Sequence, residues 1–393
     1  MARMNGPTRG PTHGPAKGMT GRITRRSAGV ALLGAAALAM LGSGAARAQD
    51  TVTLGAVLPL SGASATIGED QRRGIELAVE KVNADGGVLG RKLAVAVEDS
   101  GGRAQSAIDA ARKLVSVSKT PVVIGEYSSG NTIPVGQYLQ REGIVHINPG
   151  SSSPAIKTIG DRSFSTIGLD DVAGKFTAQA VYGMGHRKAV FLAPNNAYGQ
   201  GVYAETKAAF EALGGQIVAN LLFTEGQSNY RRELQRIAAA KPDVIIYSGY
   251  GQEAATINRE AFELGLSKTP WFGIYLSMCT ADSRPETVEG QMGMEVNYVG
   301  PDGAWYRDAY KKKFGKEFAT TFSGYTYDAV MMAAAAINKA GSAEPARIRE
   351  ALAALGDYAG ATGPIAFDAQ GQRKTQPYIV VSYKGGELKT AAK

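Results

Sequence analysis

The chain has 393 residues, of which 43 are Lys or Arg and 35 are Asp or Glu, with three histidines and a single cysteine, Cys279. Seven of the basic residues (Arg3, Arg9, Lys17, Arg22, Arg25, Arg26 and Arg47) lie in the first 48, which hold no acid, so 36 remain against 35 acidic residues in the 345 that follow. A body this close to neutral removes the case for a nucleic-acid partner that the overall charge would otherwise make, and one cysteine excludes an internal disulfide.

The stretch TGRITRRSAGVALLGAAALAMLGSGAARA has a basic head, an apolar run from Ala28 to Leu41 and a small-residue end, the order of a secretory signal. The run is shorter than the roughly 20 apolar residues that span a bilayer, so residues 1–48 are expected to be a signal peptide cleaved after Ala48. The pair Arg25 and Arg26 resembles a twin-arginine export signal. No cysteine stands at the cleavage point, so no lipid anchor is expected.

From residue 51, strand-like apolar runs alternate with helical patterns. TVTLGAVLPL at 51–60 precedes a helix with Ile75, Ala78, Val79 and Val82 on one face, which stops at Asp85, Gly86 and Gly87. LAVAV at 93–97 precedes a helix with Ala104, Ala107, Ile108, Ala111, Leu114 and Val115 in register. PVVIG follows, then a helix opening near Pro134, then the run IVHI. The pattern restarts with KAVFLA at 188–193, QIVANLLF at 216–223, DVIIY at 243–247, WFGIYL at 271–276 and EVNYV, then helices around Trp305 to Phe314 and Tyr325 to Ala340, and a last strand YIVVSY at 378–383. Runs this apolar, joined by helices, predict α/β architecture: two doubly wound parallel-sheet lobes.

Ligands of open α/β sheets bind beyond the carboxyl ends of the strands. Six loops fall there: Ser61 to Gly68, Tyr127 to Asn131 and Ser151 to Ser153 in the first lobe, and Pro194 to Tyr198, Ser248 to Gln252 and Tyr275 to Met278 in the second.

The segment NPGSSSP at 148–154 admits several roles. A serine nucleophile needs a base and an orienting acid; after the leader only His146 and His186 remain, no G-x-S-x-G turn is present, and His146 in its apolar run reads as structural. No catalytic residue is expected, and an enzyme ranks third among the functions considered. Ser153 before Pro154 fits a helix N-cap. Ser151 and Ser152, with Ser128 and Ser129 in the neighbouring loop EYSSGN, are neutral donors at two helix starts, suited to a small carboxylate; satisfying local turns accounts for one loop as well, but less readily for the same pair in both rim loops.

The spans SGASATIGEDQRRGIELAVEKVNADGGVLGRKL, VIGEYSSGNTIPVGQYLQREGIVHINPGSSSP and NNAYGQG resemble the periplasmic leucine-isoleucine-valine type of ABC transporter solute-binding protein, over nearly the whole chain after the leader. The resemblance implies the type I periplasmic binding protein fold, with hinge crossings near Gly168, Asn297 and Gln376: lobe 1 at 49–167 and 298–375, lobe 2 at 168–297 and 376–393. It places Ser129 on the family's carboxylate-binding serine, and Ser151 and Ser152 on residues that hold the ligand's carboxylate and amino group. Ile67 falls on a side-chain-contacting aromatic, and Tyr198 and Tyr250 on tyrosines of the second lobe.

Where the amino-acid binders place a glutamate against the ligand ammonium, this chain aligns Tyr275, which carries no formal charge at neutral pH; Asp170 or Glu253 are candidate replacements. Tyr127, Tyr198, Tyr250 and Tyr275 together fit a ligand with a planar or aromatic body, although tyrosines are also common core residues. The resemblance implies an aliphatic amino acid, an aromatic carboxylate, a short amide or urea as the ligand, and Tyr275 in place of the glutamate shifts the expectation toward the last three.

The resemblance further implies a periplasmic monomer that closes two lobes around its solute and docks on an ABC permease with its ATPase subunits. The chain has no G-x-x-x-x-G-K-[ST] phosphate loop, and neither a cofactor nor a metal ligand is expected. The rival function is a freestanding ligand-sensing module, since the same lobes serve receptors; a fused sensor would need a further transmembrane or signalling segment after YKGGELKTAAK.

Overall fold

Strand β1 (Val52–Leu58) is apolar on both faces and becomes an interior strand of a parallel sheet, because helices cover it from either side. The structure, a computed structural model, describes residues 51–391; the expected leader, its cleavage point and the paired arginines lie outside the described residues. After β1 come α1 (Ala65–Ala84), β2 (Leu93–Asp99), α2 (Ala104–Ser116), β3 (Val122–Gly125), α3 (Ser129–Arg141), β4 (Val145–Asn148) and β5 (Ser163–Ser165). The five strands are ordered β2-β1-β3-β4-β5, all parallel.

The second half repeats the plan. It runs α4 (Asp170–Gly183), β6 (Lys188–Pro194), α5 (Ala197–Ala212), β7 (Gln216–Phe223), α6 (Arg231–Ala240), β8 (Val244–Tyr247), α7 (Gly251–Glu263), β9 (Trp271–Ile274), α8 (Leu276–Thr280), α9 (Pro285–Val288) and β10 (Met292–Val296). The chain then returns to the first half with α10 (Ala304–Phe314), α11 (Phe322–Ala340), α12 (Pro345–Ala353) and the short antiparallel pair β11 (Tyr358–Gly360) and β12 (Gly363–Ile365). It re-enters the second sheet as β13 (Tyr378–Lys384) and β14 (Glu387–Thr390), which pair antiparallel and complete the order β14-β13-β10-β9-β8-β6-β7. Helix α11 lies so close on α1 that a Cβ on Gly74 would meet the Ser323 carbonyl oxygen at 2.1 Å.

The fold is that of two doubly wound lobes joined by three crossings, and the crossings bond to one another. Gly168 N–H donates to the Gln376 side chain at 3.3 Å, and Asn297 N–H to the Pro377 carbonyl at 3.2 Å. Arg373, only 2% exposed, spreads its guanidinium over the carbonyls of Thr166, Thr362, Pro364 and Thr375 and the Thr362 hydroxyl, all within 2.9 Å. A buried guanidinium fully used by four carbonyls and a hydroxyl is a rigid hub, since losing any acceptor leaves a buried charge underbonded.

Three expected element ends move. The run WFGIYL stops being strand at Ile274 because Tyr275 turns into the left-handed region (φ 57°) and Leu276 starts α8. EVNYV is strand only to Val296, with Asn297–Val299 a 3₁₀ turn at the crossing. Helix α3 opens at Ser129, five residues before Pro134, which sits inside the helix. The earlier start is held by Glu126, whose carboxylate accepts Ser128 N–H at 2.8 Å and the Asn131 amide at 3.3 Å.

Candidate functional site

Both sheets change winding direction beside their first strand, between β1 and β3 and between β6 and β8, and loops from these points face one another. The halves touch across the cleft. Thr66 donates to Asp282 at 2.7 Å, and Gln252 N–H to the Ala63 carbonyl at 3.1 Å. Gly251, with φ +59°, sits where a Cβ would lie 2.1 Å from that same Ala63 oxygen, so the approach requires a residue with no side chain.

Between the halves is a narrow cavity lined by Tyr127, Ser128, Ser129, Gly150, Ser152, Tyr198, Tyr250, Tyr275, Met278 and Phe322. Seven of the nine residues singled out from the sequence are in this wall. Ile67 and Ser151 are not. Ile67 is buried among the core side chains. The Ser151 hydroxyl is used inside the protein, 2.6 Å from the Thr132 hydroxyl and donating to the Tyr127 carbonyl at 2.9 Å, so it ties the two serine loops together.

The segment NPGSSSP divides by role. Asn148 accepts Gly150 and Ser151 N–H and donates to the Ser151 carbonyl, which shapes the loop. Ser152 faces the cavity, and the Ser153 hydroxyl accepts Ala155 N–H as a cap on the 3₁₀ turn Pro154–Thr158. His146, beneath them, is 2.8 Å from the Ser163 hydroxyl and bonded to the Gly125 carbonyl. Burial pushes its pKa down to about 4, so it is a neutral structural imidazole.

Electrostatically the site is acidic. Glu126 is fully buried under the first serine loop and also accepts from the Ser100 hydroxyl at 2.6 Å; burial nonetheless holds its carboxyl above the usual range. Because Glu126 takes Ser128 N–H, and Asn131 and Thr132 N–H bond the Ser128 carbonyl, the donors left at the start of α3 are the N–H groups of Ser129 and Gly130. Asp170, at the first position of α4, is fully buried, and neither of its oxygens has a hydrogen-bond partner among the described residues. Burial lifts its carboxyl far above the ordinary range; the Ser152 hydroxyl lies close enough to favour the ionised form, short of hydrogen-bond geometry. Asp170 N–H donates to the Ser152 carbonyl at 2.7 Å, which fixes it directly behind the cavity wall.

A side chamber shares Tyr127, Ser128 and Tyr250 with the main cavity and adds Ala63, Ser64, Gly101, Gly102, Glu225 and Glu253. Burial, with the Glu225 charge adding to it, raises Glu253 to about 7 against the pull of Gly226 N–H. No Lys, Arg or His lines either space among the described residues.

Met278, Gly150 and Phe322 are wall residues that the sequence reading did not single out. Met278 lies inside a loop already placed on the rim, so that signal was present. Phe322 enters from the start of α11, far along the chain, and nothing in its local pattern marks it.

The chain matches the model of the periplasmic binding protein family over residues 51–387. It is 30% identical over 352 residues to the Leu/Ile/Val-binding protein homolog 2 of Brucella abortus, covering 86% of this chain and 91% of that protein. Among solved structures it is similar to a leucine-binding protein from Thermotoga maritima (TM-score 0.78, 24% identity, covering 87% of this chain and 98% of the other). It is also similar to an ABC transporter solute-binding protein from R. palustris in complex with benzoate (TM-score 0.79, 22% identity, covering 87% and 96%); at these identities the structural likeness is one of fold. The family match takes in all three crossings and every residue that lines the cavity, and the chain belongs to the periplasmic binding protein family.

Proposed function

We propose that this protein is the solute-binding component of an ABC importer and that its solute is a small zwitterion of the amino-acid type. The lobes at 49–167 with 298–375 and at 168–297 with 376–393 close around it, and the closed form docks on a permease whose ATPase subunits supply the energy. The observation that carries the choice of solute is Asp170, a buried carboxyl with neither oxygen partnered, directly behind Ser152. A buried ionised carboxylate is stable only when paired, and a ligand cation supplies the missing partner. The ligand carboxylate then falls to the neutral donors of Ser128 and Ser129 at the α3 start, where the helix end favours an anion, and of Ser152 in the neighbouring loop.

A second reading, an aromatic carboxylate, is supported by the aromatic wall and by the R. palustris relative bound to benzoate. Such a ligand would bring a negative charge near Asp170 and Glu126 with no cationic side chain to offset it, so the zwitterion is preferred.

Calorimetric titration of the mature protein with amino acids and their deaminated counterparts separates the two. The zwitterion reading expects each amino acid to bind at least about tenfold tighter than its deaminated acid, with the preference lost in Asp170→Asn. Tighter binding of the deaminated or aromatic acids would overturn it.

A further inference from the structure

Four tyrosines line the cavity, and all four hydroxyls are already used within the protein. Tyr127 donates to Met278 Sδ at 3.7 Å, Tyr250 to Glu225 at 2.5 Å while accepting from the Asn196 amide at 2.7 Å, Tyr198 pairs with the Ser248 hydroxyl at 2.6 Å, and Tyr275 with the Tyr378 hydroxyl at 2.7 Å. These residues therefore offer the solute ring surface rather than phenol groups. The rings also cluster: Tyr127 packs edge-to-face at 87° to Tyr250 with centroids 5.3 Å apart and at 80° to Phe322 at 5.2 Å, and Phe322 adjoins Tyr275 at 6.2 Å.

A primary ammonium carries three N–H groups that each need an acceptor, and against such a cluster some of them would face carbon. An ammonium whose hydrogens are replaced by methyl groups needs no acceptor and is attracted by ring faces. Asp170, whose N–H bonds the Ser152 carbonyl, stands behind that part of the wall as a buried carboxyl open to a ligand cation, and no basic side chain lines the cavity among the described residues.

We infer that the solute's cationic group is an N-methylated ammonium, seated against the ring cluster of Tyr127, Tyr250, Tyr275 and Phe322, so that the ligand class is a betaine-type amino acid. The inference rests on the zwitterion reading above and narrows it.

The test is a calorimetric comparison of three pairs on the mature protein: glycine betaine with glycine, alanine betaine with alanine, and proline betaine with proline, with leucine, benzoate and a short amide alongside. The expected result is a methylated member binding at least about tenfold tighter than its parent and than leucine, the size of a desolvated cation–π contact. Leucine or a parent amino acid binding as tightly or more tightly would overturn the inference and leave the zwitterion reading standing, with the rings holding an aliphatic side chain. Binding of benzoate or the amide alone would overturn both, and no binding across the panel would overturn the inference.

A ring-face role is separated from a hydroxyl role at Tyr250. Tyr250→Phe should keep the betaine affinity within about threefold and Tyr250→Leu should lose about tenfold or more. Equal losses in the two variants would assign the contact to the hydroxyl and count against the ring contact.

Discussion

Tyr275 and Tyr378 place their hydroxyls 2.7 Å apart, and the pair links the wall of the cavity to the strand that makes the third crossing. Tyr378 is the first residue of β13, paired with Val296 at the end of β10, and its hydroxyl lies 3.2 Å from where a Cβ on Gly168 would be. One hydrogen bond thus joins the ligand-facing surface to the point where all three crossings meet.

Removing either hydroxyl leaves the other buried without that partner. Tyr275→Phe and Tyr378→Phe should each cost about 1–3 kcal/mol of stability, and the double variant should cost less than the sum of the two. A double-mutant cycle by denaturant unfolding measures the coupling; strictly additive losses would show that the hydroxyls do not depend on each other.

Asp170 should make the empty protein less stable as pH rises. Its folded carboxyl titrates well above the unfolded value, so the folded form holds the proton more tightly; the contribution is present below the unfolded pKa of about 3.9 and is lost as pH climbs through the folded one. Glu126 and Glu295 are shifted in the same direction, so Asp170→Asn should flatten the pH profile of stability without abolishing it. The variant should gain on the order of 1 kcal/mol at pH 8 and little at pH 4, while losing affinity for a zwitterion. Unfolding curves between these pH values check the slope, and an unchanged slope would mean Asp170 has the same proton affinity folded and unfolded.

The two serines of the loop should separate stability from binding. Ser151→Ala removes bonds to Thr132 and the Tyr127 carbonyl and should cost about 1–2 kcal/mol of stability. Ser152→Ala should leave stability within about 0.5 kcal/mol and weaken ligand binding about tenfold, the equivalent of one lost hydrogen bond of about 1.4 kcal/mol. Thermal unfolding and calorimetry on both variants give the comparison.

Gly251→Ala should impede closure. Its Cβ would collide with the Ala63 carbonyl of the opposite half, and the left-handed backbone adds about 1 kcal/mol of strain. Ligand affinity should fall more than tenfold, and small-angle scattering with ligand should show a more extended particle than the unaltered protein. Unchanged affinity would show that the contact is absent from the bound form.

Much of the architecture was readable in the residues. The eight-residue run QIVANLLF coincides with β7, Ser153 before Pro154 is a cap, and the asparagine, glycine and serine content of residues 148–153 marked a loop at a strand end. These features are local: apolar periodicity, turn chemistry and capping act between residues a few positions apart, so the sequence displays them directly. Even the rim loops followed from local pattern, because alternating strands and helices leave only strand ends free to meet a solute.

What the loops do with their side chains was decided elsewhere. Ser151 and Ser152 are adjacent and chemically identical, yet one ties two loops together and the other faces the cavity, because Thr132 and the Tyr127 carbonyl, brought alongside by pairing of β3 with β4, claim the first hydroxyl. Tyr275 was legible as a departure from a glutamate, but its engagement with Tyr378, 103 positions later, was not. Phe322 joins the wall from 169 positions beyond Ser153. The chain by itself determined which segments become strands, helices and rims, since those depend on short-range pattern; only the tertiary structure decided which hydroxyls are spent, which carboxyl is left without a partner and which rings meet, because each depends on groups that folding brings together from distant parts of the chain.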